Sequence, residues 1–151
     1  MSVEYLHYVH AAVADPLHER ELDLRFRVLR EPLGFERGSE IYTDEAACRH
    51  LIAVSAGEVI GCVLFHPAGR GSGRMLQLAV DPRRRLSGIG RELVFRLEGE
   101  LADDGYRDVM LHAREEVVEF YQKLGYRCEG TAFIEIGIPH VIMRKPIGTA
   151  R

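Results

Sequence analysis

Arg85-Leu86-Ser87-Gly88-Ile89-Gly90 is the stretch whose residue types and spacing can do chemistry. It follows a strand-like run, Met75 to Val80, and leads straight into the helical pattern Ile89, Leu93, Leu97, Leu101. A small-residue turn at a helix start leaves several backbone N–H groups without intrahelical partners, and the helix dipole adds partial positive charge where those donors point. The natural occupant is an anion such as a phosphate. Gly88 and Gly90 bring no Cβ to hold it off the backbone, while Arg83, Arg84, Arg85 and Arg91 offer positive charge around it. Basic residues beside glycines ordinarily form a solvated surface turn; the strand before and the helix after set this one apart. Two other phosphate-binding patterns fail on spacing. Gly88-Ile89-Gly90-Arg91-Glu92-Leu93 lacks the third small residue of a dinucleotide-binding turn, and no Gly-Lys-Ser or Gly-Lys-Thr of a P-loop occurs. Gly69-Arg70-Gly71-Ser72-Gly73 is also glycine-rich, but it lies between two strand-like runs and reads as a mobile connection.

Arg85, Gly88 and Gly90 match the signature of the GNAT superfamily of N-acetyltransferases, in which Arg or Gln is followed by two residues, Gly, one residue, then Gly or Ala. The preceding Leu78-Ala79-Val80-Asp81-Pro82 is similar to the family's strand and turn ahead of that signature, and Glu119-Phe120-Tyr121-Gln122-Lys123-Leu124-Gly125-Tyr126 resembles its later Phe-Tyr and Gly-aromatic segment. Two ordered motifs in this context make the resemblance specific, whereas the N-terminal third matches in architecture only.

The resemblance implies acetyl-CoA as acyl donor, its pyrophosphate held by Arg85, Leu86, Ser87, Gly88, Ile89, Gly90 and Arg91. The pantetheine arm is expected along Leu78, Ala79 and Val80, with the backbone of Leu78 and Val80 pairing to its amides as an added strand pairs to an edge. In the family the arm enters a gap between splayed parallel strands, here Met75 to Val80 and Asp108 to His112. A primary amine then attacks the thioester directly, in a ternary complex, and no covalent enzyme intermediate is needed. Tyr121 aligns with the family tyrosine that protonates the departing thiolate, which makes it the expected general acid. Glu135, His140 and His112 are the candidates for the base; Gln77, on the partner strand, cannot titrate. The other reading is a non-catalytic acyl-CoA-binding or sensing module, and transfer of a longer acyl group or transfer to oxygen is a third. Related small acetyltransferases are often dimers, and the final strand, Val141 to Arg144, is expected either to offer an edge for such a homodimer or to lie inside the sheet.

Composition bounds the reading. A chain of 151 residues with 46% hydrophobic content fits one globular domain with a real core, and no linker or repeat divides it. A formal charge of −3 argues against wholesale nucleic-acid binding and makes the arginines near position 85 a local patch. Met1-Ser2-Val3-Glu4 does not begin a signal peptide, and the best apolar run, Val59 to Phe65, is too short to span a bilayer, so no membrane role and a cytoplasmic location are expected. Cys48, Cys62 and Cys128 form neither a metal knuckle nor a Cys-x-x-Cys pair, and no His-Glu-x-x-His occurs, so no metal is expected. Glu36, Glu40, Asp44 and Glu45 give the loop after the first helix an acidic bias that favours a cationic amine.

The elements that must position these residues follow from the pattern. A strand from roughly Tyr5 to Val13 precedes Asp15-Pro16, an N-cap with a first-turn proline. Leu22, Phe26, Leu29 and Leu33 recur at three- and four-residue spacing, with Leu24 and Val28 beside them, and predict a helix with one apolar face through about Arg30, broken by Pro32 and Gly34. A short helical turn is expected around Glu45 to Cys48. Leu51–Ser55 and Val59–Phe65 flank Ala56-Gly57 as a hairpin, and Met75 to Val80 extends the sheet. The helix from about Gly88 to Ala102 stops at Asp104-Gly105, and Asp108 to His112 pairs in parallel through the crossover. Val117, Phe120, Tyr121 and Leu124 give another helix capped by Gly125. Two closing strands, Glu129–Ile136 and Val141–Arg144, are separated by Gly137-Ile138-Pro139. The fold expected is α/β: a single-domain, GNAT-like mixed sheet of about six to seven strands, with helices on both faces and splayed central parallel strands.

Overall fold

The structure, a computed structural model, describes residues 5–85 and 87–148. Strands β1 (Leu6–His10), β2 (Arg49–Ser55), β3 (Glu58–Gly69), β4 (Ser72–Val80), β5 (Asp108–Arg114), β6 (Arg127–Glu135) and β7 (Ile138–Pro146) form one seven-stranded sheet in the order β1-β2-β3-β4-β5-β7-β6. The helices are α1 (Pro16–Arg25), α2 (Ile89–Asp103) and α3 (Val118–Lys123). Among the described residues no helix is long and apolar enough to cross a membrane. The chain groups into two compact units: the first runs through His66 and adds Gln77–Leu97, and the second takes Pro67–Leu76 and the residues from Glu98 onward.

In the first unit, Asp15 caps α1 by accepting from Leu17 N at 2.9 Å, and Pro16 occupies the first turn, where its missing N–H costs nothing. The helix continues through a wider π-helical turn, Phe26–Arg30, and a 3-10 turn that ends on Gly34 at φ 83. Its buried face differs from the expected one. Leu24 and Phe26 are buried as expected, but Leu33 is 40% exposed and His18, Glu21 and Arg25 are buried as well. Charged residues at helical spacing ordinarily mark the solvent face; here they are paired with one another under the loop that follows. Leu24, Ile52, Val54, Cys62 and Ala79 form the apolar core of this unit. The hairpin β2–β3 turns at Ala56 and Gly57, both left-handed at φ 50 and φ 78, as a two-residue turn requires. Gly61 on β3 admits the first turn of α2: a Cβ there would lie 2.9 Å from Ile89 Cγ2 and 3.0 Å from Leu93 Cδ1.

In the second unit, Gly69-Arg70-Gly71 is not a mobile connection. β3 runs to Gly69, β4 starts at Ser72, and Arg70 and Gly71 take φ 55 and φ 75, the left-handed pair that closes a tight hairpin. β4 pairs in parallel with β5 at Arg74↔Met110 and Met75↔Leu111. β5 alternates, burying Val109, Leu111 and Ala113 and turning Met110, His112 and Arg114 to the other face. The closing hairpin turns at Ile136 and Gly137 (φ 46 and φ 79), two residues before Pro139, which lies inside β7. β7 is internal, hydrogen-bonded to β5 on one side and β6 on the other, so Val141–Arg144 offers no edge for a partner subunit. The edges of the sheet are β1 and β6.

Candidate active site

The expected anion cradle lies in the first unit. β4 ends with Ala79 buried and Leu78 and Val80 half-buried, and Asp81 N then donates to Ile60 O at 2.8 Å, which fixes the end of the strand. Asp81 also accepts from Arg83 N at 2.9 Å and from the Arg83 guanidinium at 2.8 Å. The Arg83 hydrogen bond holds its carboxyl down to about 2, although burial opposes this. Arg83 is therefore committed to the turn. Arg84 reaches Ser55 Oγ at 3.4 Å, while Arg85 and Arg91 are exposed and make no ion pair among the described residues. Ser87 donates its hydroxyl to Arg84 O, and Leu86 lies outside the described residues. Gly88 is left-handed at φ 83, its carbonyl accepts from Glu92 N at 2.9 Å, and a Cβ there would meet nothing within 4 Å. Gly88 thus stands at the N-cap, and the N–H groups of Ile89, Gly90 and Arg91 precede the first intrahelical donor. An anion fits these donors, with two unpaired guanidinium groups beside them.

Sequence reasoning missed a buried charge network in the same unit. Arg25 Nη1 donates to Glu21 Oε2 and Glu45 Oε1, each at 2.6 Å, and Nη2 donates to Glu45 Oε2 at 2.9 Å and Glu40 O at 2.5 Å. His50 faces Glu21 at 3.0 Å through one ring nitrogen and the Glu45 carbonyl at 2.8 Å through the other, a pairing that favours the charged, doubly protonated ring. Burial disfavours that charge, but the Glu21 bond and charge outweigh it and raise the His50 pKa. Burial likewise opposes ionisation of Glu45, yet hydrogen bonds from Arg25 and His18 hold it down to about 2. The metal-ligating atoms of His18, Glu21, Glu45 and His50 lie within 4.8 Å of one another. The Arg25 guanidinium lies between the Glu21 and Glu45 carboxylates and pairs with both.

This network also corrects the acidic-loop expectation. Glu45 is spent on Arg25, and Glu40 accepts from Gly38 N at 2.8 Å, which leaves Glu36 and Asp44 as the exposed acids. Gln77, left-handed at φ 57, bends β4 and points its amide nitrogen at Glu40 O (3.4 Å); its Oε1 is buried with no partner among the described residues. An open cleft of about 650 Å³ elsewhere in the unit is lined by Arg20, Asp23, Arg27, Glu58, Asp81 and Arg83. Its arginines bind Gly57 O, Asp23 and Asp81, so it offers no unpaired charge of the kind the cradle does.

The expected proton-transfer residues lie in the second unit. Tyr121 is 8% exposed on α3, its ring against Phe120 and Tyr126, and its hydroxyl makes no hydrogen bond among the described residues. Burial raises its pKa, so the phenol is protonated across the physiological range. Gly125 caps α3 at φ 97, and the following Tyr126 donates to Glu98 at 2.7 Å, while Lys145 holds the other Glu98 oxygen at 2.9 Å. This anchored Tyr126 ring fixes Tyr121. The three base candidates, far apart in sequence, come together. Register puts His112, Glu135 and His140 on one face of β5, β6 and β7, and Arg74 on the same face of β4. His112 Nδ1 is 2.9 Å from Glu135 Oε1, His140 Nε2 is 3.7 Å from Glu135 Oε2, and Arg74 is 3.5 Å from the same oxygen. Burial would raise the Glu135 pKa, but the His112 bond and the Arg74 charge lower it overall. Burial pushes the Cys48 thiol up to about 11 and Cys62 well above 9, so neither is a nucleophile near neutral pH.

Residues 36–147 match the family described as Acetyltransferase (GNAT) domain. The uncharacterized N-acetyltransferase YjcF of Bacillus subtilis (strain 168) is 31% identical over 112 residues, covering 70% of this chain and 76% of its own length. Among solved structures, an aminoglycoside 6'-N-acetyltransferase complexed with coenzyme A superimposes with a TM-score of 0.79 at 22% identity, over 96% of this chain and 99% of that one. The ribosomal-protein-S18-alanine N-acetyltransferase of Escherichia coli gives a TM-score of 0.79 at 17% identity, over 97% of both chains. With its fold, the turn into α2 and the family match in agreement, the chain belongs to the GNAT acetyltransferase family.

Proposed function

We propose that the protein transfers the acetyl group of acetyl-CoA to a primary amine by direct attack in a ternary complex, as one catalytic domain. The observation that carries the reading is Gly88: left-handed, at the start of α2, with first-turn backbone donors and exposed Arg85 and Arg91 that make no ion pair among the described residues. Coenzyme A in the aminoglycoside-modifying relative supports the choice of donor. Arg85, Ser87, Gly88, Ile89, Gly90 and Arg91 hold the pyrophosphate, and the backbone of Leu78 and Val80 aligns the arm. Tyr121 is the general acid. Its raised pKa keeps the proton on the phenol until charge builds on the departing sulfur. The base comes from the cluster of His112, Glu135 and His140, which removes the proton that the attacking amine must lose.

Release of free thiol from acetyl-CoA, followed against spermidine, a peptide with a free N-terminus and an N-blocked lysine peptide, tests the reading. Amine-dependent thiol release is expected. Binding of acetyl-CoA with no release in the presence of any amine would instead identify a sensing module.

A further inference from the structure

We infer that His112, through Nε2, is the base of this transfer and that Glu135 is the positioning residue that keeps that nitrogen available; the inference rests on the acetyl-transfer reading above. Hydrogen-bond direction carries the argument. Glu135 is ionised and can only accept, so His112 Nδ1, 2.9 Å away, carries the proton that joins them. The neutral imidazole then has its lone pair on Nε2. Among the described residues nothing bonds to that nitrogen, and it is not sealed from solvent.

Glu135 is committed, and His140 is the more buried of the two histidines. Glu135 Oε1 takes the His112 proton and Oε2 faces Arg74 at 3.5 Å and His140 at 3.7 Å. His140 is 4% exposed, and its Nδ1 donates to Ile138 O at 2.9 Å, which leaves its Nε2 turned toward Glu135. Charged and titratable groups on the face of the sheet that carries His112 include Glu135 from β6, His140 from β7, Arg114 from β5 itself and, beyond Glu135, Arg74 from β4. The Phe133 ring, edge-on at 5.1 Å, completes the wall. A histidine oriented by a carboxylate at one nitrogen and open at the other is the arrangement a general base requires.

The step balances. The lone pair of the neutral amine forms a C–N bond to the thioester carbonyl carbon, and Nε2 takes one N–H proton as the C–S bond breaks. The sulfur receives a proton from Tyr121. The imidazolium then returns its proton to water and the phenolate regains one, so amine and thioester become amide and free thiol with no net proton change.

The test joins kinetics with imidazole spectroscopy. With acetyl-CoA and whichever of spermidine, the free-N-terminus peptide or the N-blocked lysine peptide the wild type uses, His112→Gln should lower kcat about 10²-fold and leave the acetyl-CoA KM unchanged. His112→Gly should be restored in part by added imidazole, which a packing role cannot explain. Nitrogen-15 NMR of the folded wild type should show His112 with its proton on Nδ1, and Glu135→Leu should lose that preference. Wild-type rates in His112→Gln, no imidazole rescue, or a proton on Nε2 in the wild type would each overturn the assignment while leaving the acetyl-transfer reading standing. A wild type that transfers to none of the three amines would remove the reading and the assignment together.

Discussion

Tyr121 and Arg25 are both buried, one without a charged partner and the other inside a network of them. The Tyr121 hydroxyl makes no hydrogen bond among the described residues and burial raises its pKa, the state of a group that holds its proton firmly. Removing only that hydroxyl, Tyr121→Phe, should lower kcat by about 10²-fold or more while acetyl-CoA affinity stays the same; unchanged turnover would show the ring to be packing alone. Arg25 is fully buried and bonds to Glu21, Glu45 and the Glu40 carbonyl. Deleting one partner of such a cluster strands the others without solvation, so Arg25→Met should cost about 3–5 kcal/mol in denaturant unfolding. The helix that carries Tyr121 was legible from the spacing of Val117, Phe120, Tyr121 and Leu124. The burial of Arg25 was not, because a charged residue at helical spacing reads as solvent-facing until its partners at Glu45 and His50 are known.

Elements depend on such pairings in ways that pH reveals. The network fastens α1 to the loop carrying Glu40 and Glu45 and to His50 on β2. Glu45 sits near 2 against its usual 4.5, so its contribution is present above pH 4.5 and fades as pH falls toward 2. His50 is raised above its usual 6.5, so its contribution is whole below pH 6.5 and fades as pH climbs through the folded value. Thermal melting should therefore peak between pH 4.5 and 6.5, and His50→Gln should flatten the alkaline decline. An alkaline decline of equal size in the variant would contradict the role given to the imidazolium. The contact between α2 and β3 is the other exposed dependency. Gly61→Val places carbon within 3.0 Å of Ile89 and Leu93, so it should destabilise by about 1–3 kcal/mol and weaken acetyl-CoA binding by shifting the first turn of α2. Calorimetry on the folded variant checks both effects.

At the scale of the whole molecule, local signals announced most of the sheet and both motif helices. Asp15-Pro16, Ala56-Gly57, Asp104-Gly105 and Gly125 are turns and caps whose backbone demands are local, and each falls where expected. Non-local features were hidden. The internal place of β7 depends on which strands pair, and Gln77 bends β4 in a left-handed conformation that no glycine or asparagine announces. Arg70-Gly71 failed for a related reason: three nearby glycines read as mobility, although two consecutive left-handed residues close a hairpin. The face shared by His112, Glu135 and His140 follows from strand register, which sequence spacing does not reveal. The family assignment rests on more than any one of these features, but the proposed chemistry rests on the turn into α2. Isothermal titration of acetyl-CoA into the wild type and into Gly88→Trp tests it most directly. The account predicts saturable binding to the wild type and none to a variant that retains its fold; no binding to the wild type, or equal binding to both, would contradict it.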